Sequence, residues 1–347
     1  MTRKSTLAFT AAVSAAALLS ACGGGQGGSR DQVRAVGSST VLPFAKLVSE
    51  EFAKGGTFKA PIIEGNGTGG GMKLFCAGVG AQYPDIEDAS RRIKKSEFDD
   101  CVKNGVKDIA EIQVGLDGIA FAEAKEGPGM KLTPTDVYKA LAANPFGKPN
   151  TAKTWADVNP ALPAIPILVY GPPSTSGTRD ALAELILTKG CDSDAAMKAL
   201  KESDKDAHKK TCTEVREDGA YVDSGEADNL IVQKIAANPK AIGIFGFSFL
   251  EENMDKLKGI TMGGVQPTYA SISDFSYPGA RPLYIYVKLA HLNAIPGLKE
   301  FVAAWAKSWG PDGLLKGKGM VISTEEVRNK NAELAAKLAP MDASDLK

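Results

Sequence analysis

The chain has 347 residues, 44% of them apolar and 24% charged, with a formal charge of zero at neutral pH. That length makes one large domain or two ordinary ones, and the composition is that of a globular protein. Balanced charge gives no support to nucleic-acid binding or to a polybasic membrane surface.

The N-terminus reads as a targeting segment. Arg3 and Lys4 form a basic start, and Leu7 to Leu19 is an apolar stretch too short to span a bilayer as a stable helix. It ends in Leu19-Ser20-Ala21-Cys22, which resembles a bacterial lipobox. That resemblance implies a signal peptide over 1–21, cleavage before Cys22 and acylation of Cys22, with residues 22–30 as lipidated cysteine and flexible glycine-rich tether. Loss of Arg3 and Lys4 leaves a slight acidic excess. The expected location is the periplasm, with the membrane reached through the lipid anchor alone.

Cys76, Cys101, Cys191 and Cys212 remain, an even number in an oxidising compartment. Of their three possible pairings the local ones, Cys76–Cys101 and Cys191–Cys212, are favoured. Each closes a loop of roughly 20–25 residues, which in the chain-entropy model contributes about 3 kcal/mol. No C-x-x-C is present, and His208 and His291 stand alone, so no metal or other cofactor is expected.

Val33 to Val36 reads as a strand ending at Gly37, followed by Val41, Ala45, Val48 and Phe52 at helical spacing. Phe58 to Glu64 reads as a second strand. Met72, Phe75, Cys76 and Val79 then mark a helix that begins after the run Gly67-Thr68-Gly69-Gly70-Gly71. A third strand, Asp85 to Ala89, ends at Ser90-Arg91. Ile109 to Ala124 is a long strand pattern carrying Gly115 and Gly118, and Leu132 to Tyr138 contains a capped helix start. Ala164 to Tyr170 is a strand that leads into Ser174-Thr175-Ser176-Gly177-Thr178-Arg179 and a further helix. Charged residues 198–210, a helix over 228–238, strands Ala241 to Phe247 and Leu283 to Leu289, a core-facing helix with Phe301 and Trp305, and a charged C-terminal helix from Thr324 complete the pattern. Strand, hydroxyl- or glycine-rich loop and helix, repeated, is the layout of an α/β sheet with a crevice at the strand ends.

Three loops share one chemistry: Gly37-Ser38-Ser39-Thr40, Gly67 to Gly71 and Ser174 to Arg179. A helix N-terminus offers unpaired N–H groups and partial positive charge, and hydroxyls and glycines add donors and let the backbone close in. Three such segments point to one small oxyanion held from several sides. Catalysis is not expected: Ser176 lacks a Gly-x-Ser-x-Gly elbow and a promising histidine. The Gly67–Gly71 run is no P-loop, since Lys73 lacks the Gly-Lys-Ser/Thr context.

With Ala89-Ser90-Arg91 and Asn238 to Gly243 added, these segments give the chain a resemblance over nearly its whole mature length to the periplasmic phosphate-binding proteins of Pst ABC transporters. That resemblance implies a two-lobed periplasmic binding protein fold of α/β class, with two hinge-crossing strands, near Gly115 to Ala122 and near Arg281 to Tyr286, and a cleft ligand site. Lobe one is expected over 31–118 plus 284–347, and lobe two over 119–283. Inorganic phosphate is the implied ligand, Pst-type permease subunits the implied partners, and a monomer the expected state. The matching residues are Ser39, Thr40 and Val41, Thr68, and Ser176, Gly177 and Thr178. The chain departs from the family pattern at Arg91, where many relatives have an aspartate, and at Pro172, where they have an arginine. Arg91 and Arg179 are therefore the expected cations. An acid that accepts phosphate's proton selects against sulfate, which has none. Glu226 is the expected acceptor, with Asp117 and Asp223 as alternatives. The departures keep another oxyanion (sulfate, arsenate or phosphonate) open, as is a phosphate-binding lipoprotein with no transport role.

Overall fold

The computed structural model describes residues 30–174, 176–225 and 228–346. The signal segment, Cys22 and nearly all of the tether lie outside the described residues.

The described residues form eleven strands: β1 (Arg34–Gly37), β2 (Ile62–Gly65), β3 (Ile86–Ala89), β4 (Ile109–Ala124), β5 (Lys131–Leu132), β6 (Val169–Gly171), β7 (Tyr221–Asp223), β8 (Ile242–Gly246), β9 (Leu257–Gly259), β10 (Thr261–Met262) and β11 (Ala280–Lys288). Nine form one sheet in the order β2-β1-β3-β11-β4-β8-β6-β7, with β9 also on β4, while β5 and β10 pair separately. β1 runs parallel to β2 and β3, and β6 parallel to β7 and β8, as strand–helix–strand connections require.

The sixteen-residue β4 joins the two halves. Its residues Ile109 to Gly118 pair with β11, and Ile119 to Ala122 pair with β8. The change of partner falls between Gly118 and Ile119. β11 starts on β4 alone, through Ala280 to Leu283, and only from Tyr284 also pairs with β3. Two bodies of core follow from this division. One packs Phe121, Val137, Tyr138, Trp155, Ile186, Ile231, Ile244 and Phe245 around the second half of β4. The other packs Val48, Ile112, Ile285, Phe301 and Trp305 on one face of the first half, and Met72, Phe75 and Tyr286 on the other. The molecule is thus two-lobed, with β4 and β11 as the connections.

Three expected elements differ. Helix Thr68–Phe75 begins inside the glycine run rather than after it, and ends short of Val79. Strand β2 starts only at Ile62, because Pro61 has no N–H for a ladder. β6 is limited to Val169–Gly171, since Pro166 interrupts the apolar run before it. The helix start near Leu132 is a capping box, in which Thr133 Oγ1 accepts from Asp136 N while the Asp136 carboxylate accepts from Thr133 N.

The structure joins Cys76 to Cys101 and Cys191 to Cys212. His208, beside the second bridge, pairs with Asp192 at 2.7 Å. The second bridge closes a loop over a sequence separation of 21 within lobe two. The double variant Cys191→Ser, Cys212→Ser is expected to lose about 3 kcal/mol in urea unfolding, and a loss under about 1 kcal/mol would contradict that. Among the described residues no helix is long and apolar enough to cross a membrane.

Candidate functional site

Two of the three hydroxyl-rich loops meet across the lobes. After β1, the chain turns at Gly37 with φ of +132°, a conformation that favours glycine. Ser38 Oγ then accepts from the N–H groups of Thr40 (3.1 Å) and Val41 (3.4 Å), in the turn that leads into helix Leu42–Ala53. This leaves Thr40 at the end of lobe one facing lobe two. From the other side, Ser176 Oγ accepts from Thr178 N at 3.2 Å and opens a helical run from Gly177 to Cys191, with a π turn over Leu182–Leu187. The Thr40 hydroxyl donates to Gly177 O at 3.3 Å. Ser39 hydrogen-bonds Asp180, whose carboxyl is nonetheless raised, mainly by burial.

The second loop stands beside the first. Thr68 opens helix Thr68–Phe75, and its Oγ1 lies 3.1 Å from Ser90 Oγ and accepts from Ser90 N. That contact ties the loop after β2 to the loop after β3. A side chain on Gly71 would meet Gly37 Cα at 2.5 Å and Glu87 Oε2 at 2.2 Å. Gly71 is therefore required by packing between β1, β3 and this helix, which accounts for a glycine at that helical position despite its low propensity, whereas Gly69 and Gly70 have room for a methyl group.

The two expected cations take different settings. Arg91 follows β3 and reaches toward the start of helix Thr68–Phe75, where a Cβ on Gly69 would lie 3.9 Å from its Nη2. It holds Glu97 through two parallel bonds of 2.9 and 2.7 Å. Arg179 stacks over the Tyr221 ring at 4.4 Å, and the Tyr221 hydroxyl donates to Pro172 O at 2.6 Å. A guanidinium thus stands one ring away from Pro172. Of the expected acids, Glu226 lies outside the described residues. Asp117 is bound to Arg281 at 3.0 Å, and Asp223 accepts from Gly225 N at 2.9 Å in a local turn.

Sequence reasoning missed four groups here. Arg281, on β11, donates to Thr40 Oγ1 at 2.7 Å. Asp180 directly follows the Ser-Gly-Thr-Arg run, so its place was readable. Glu87 and Asp88 sit at the end of β3, fully buried, and neither Glu87 oxygen nor Asp88 Oδ1 has a hydrogen-bond partner among the described residues. Burial pushes the Asp88 carboxyl up to about 8. It also pushes Glu87 well above its usual range, helped by the charges of Asp88 and Glu97 and opposed by Arg91. Chemically, the described residues of the region offer hydroxyls, helix N-termini and guanidinium groups from both lobes, an arrangement suited to an oxyanion.

The PBP superfamily domain model matches residues 24–307. A phosphate-binding protein PstS of Staphylococcus saprophyticus is 32% identical over 309 residues, covering 86% of this chain and 85% of that protein. The protein SphX of Synechococcus elongatus is 34% identical over 266 residues, covering 74% and 68%. Among solved structures, a possible phosphate binding protein from Planctomyces limnophilus superposes with a TM-score of 0.72 at 27% identity, covering 88% of this chain and 98% of that one. The chain belongs to the PBP superfamily and, within it, to the PstS family of phosphate-binding proteins.

Proposed function

We propose that this protein captures inorganic phosphate outside the cytoplasm and delivers it to a Pst-type ABC transporter, as a monomer lipid-anchored through Cys22 and without catalytic activity. The lobes are assigned to 31–118 plus 284–347 and to 119–283. Ser39, Thr40, Val41, Thr68, Ser176, Gly177 and Thr178 are the proposed donors, Arg91 and Arg179 the cations, and Glu226 the acceptor of phosphate's proton. The observation that carries this reading is the meeting of Thr40 with Gly177 at 3.3 Å, which brings two helix N-termini from opposite lobes to one point. The names of the relatives add the identity of the anion.

Selectivity is the property to test here, because Arg91 stands where the family's acid is usual. Equilibrium dialysis of the lipid-free protein with radiolabelled phosphate, against excess sulfate, arsenate and phosphonate, measures it. Phosphate is expected to remain bound under a hundredfold excess of sulfate, and Glu226→Gln to narrow that preference. Displacement of phosphate by equimolar sulfate would replace this reading with a general oxyanion carrier. An unchanged ratio in the variant would remove Glu226 from the site.

A further inference from the structure

Arg281 has three side-chain partners, and they belong to three parts of the molecule. It stands at the start of β11, opposite Asp117 in the register with β4, and is only 5% exposed. Nε donates to Asp117 Oδ2 at 3.0 Å, on the neighbouring connecting strand. Nη1 donates to Glu184 Oε2 at 2.5 Å, on the Gly177–Cys191 helical run of lobe two. Nη2 donates to Thr40 Oγ1 at 2.7 Å, at the cleft edge of lobe one. Thr40 and Glu184 sit on different lobes, so any opening of the cleft must break one of these two arms. Glu184 is also close enough to Arg91 of lobe one for their charges to attract.

The arrangement does not make Arg281 a ligand. Its single charge already faces two carboxylates, so it has no uncompensated charge to offer an anion. It does determine how Thr40 behaves. Because Thr40 Oγ1 accepts from Arg281, its own hydrogen must be donated elsewhere. Among the described residues that hydrogen goes to Gly177 O at 3.3 Å, near the upper limit for a hydrogen bond. An oxyanion in the cleft is a stronger acceptor than that carbonyl and would take the hydrogen.

We infer that Arg281 and Glu184 form a closure latch between the lobes, and that Arg281 acts as a positioning residue which commits the Thr40 hydroxyl to donate into the cleft. The positioning half rests on the phosphate reading above. The latch half does not, since it concerns only the two lobes. By linkage, contacts present only in the closed state slow ligand release and leave capture by the open state nearly unchanged.

Glu184 gives the cleanest test because its side chain is 59% exposed, so Glu184→Gln removes the charge from one arm with no hole in the core. Stopped-flow kinetics with phosphate and small-angle scattering of the ligand-free protein are compared for wild type, Glu184→Gln, Arg281→Lys and Arg281→Gln. Glu184→Gln is expected to raise the phosphate dissociation rate about tenfold with the association rate within about twofold. It is also expected to enlarge the ligand-free radius of gyration. Arg281→Lys is expected to fail to restore wild-type release, because an ammonium lacks the planar fork that reaches three partners at once. A merely structural role would lower the unfolding temperature without splitting the two rates. Dissociation rates within about twofold of wild type in both Glu184→Gln and Arg281→Gln, with an unchanged scattering curve for Glu184→Gln, would overturn the latch. If wild type binds no phosphate, the phosphate reading fails and the positioning role with it. The latch is then decided by scattering alone, where identical curves for wild type and Glu184→Gln would overturn it.

Discussion

Replacing Gly177 with alanine should lower phosphate affinity about 100-fold, the loss expected when groups that must converge are held about 1 Å apart. A Cβ at this position would lie 2.5 Å from Thr40 Cα, 3.0 Å from Thr40 N and 3.1 Å from Ser39 O. All three atoms are backbone of the opposite lobe, so no side chain can rotate away and the lobes themselves must separate. The proposed donors at Thr40, Ser176 and Thr178 would then no longer converge on one small anion. Since the contact is between lobes, each lobe should fold as before, and unfolding without ligand should be nearly unchanged. Gly71→Ala is the informative contrast. There the added methyl meets Gly37 Cα and Glu87 within lobe one, so stability should fall whether or not ligand is present. Calorimetric titration together with thermal unfolding separates the two outcomes. Wild-type affinity in Gly177→Ala would mean that this contact plays no part in the bound state.

The second large effect is a fall in stability as pH rises. Asp88 is 1% exposed, and burial pushes its carboxyl from the ordinary 3.8 to about 8. Between those values the unfolded chain has released this proton and the native protein still holds it. The native state binds more protons, so unfolding free energy declines with pH across that window and levels off above about 8. A tenfold difference in proton affinity between the two states corresponds to about 1.4 kcal/mol, so the decline amounts to several kcal/mol. Glu87, raised in the same direction, adds to it. Lys288 works the other way: burial lowers it to about 7, so its contribution grows as pH rises above that value. The decline is therefore steepest below about 7. Urea unfolding at a series of pH values measures this. Asp88→Asn, which keeps the shape of the neutral acid, should flatten the dependence and be more stable than wild type near the upper end. A wild-type stability that is flat or rising over the window would contradict the assignment.

Much of the architecture was readable because it is written in local patterns. The buried run from Ile109 to Ala124 has the bounds of β4, and the Thr133 box starts its helix where the spacing of threonine and aspartate places it. The aromatics Phe301 and Trp305 lie in the core, as their helical spacing implies. What was not readable depends on tertiary contact. Gly69, Gly70 and Gly71 look like a loop by propensity, yet all three lie in a helix, and at Gly71 the neighbouring Gly37 and Glu87 leave no room for a side chain. Proline at 61 and 166 shortened two strands that apolar composition alone had lengthened. At the candidate site, Thr40, Thr68, Ser176 and Gly177 carried a signal because hydroxyls and glycines before helices are a local motif. Arg281 carried none. It lies 241 residues from Thr40, and only the return of the chain along β11 brings them together. The buried acids of β3 likewise resemble ordinary strand-end polar residues until the sheet closes over them.

The central claim is that hydroxyl-rich helix starts from two lobes form one phosphate site. Calorimetric titration of the lipid-free protein with inorganic phosphate tests it most directly. The account predicts saturable binding of one phosphate per chain with a dissociation constant of about 1 μM or tighter, some 8 kcal/mol of binding free energy. No detectable binding at about 1 mM phosphate, a level only about 4 kcal/mol would saturate, would contradict it.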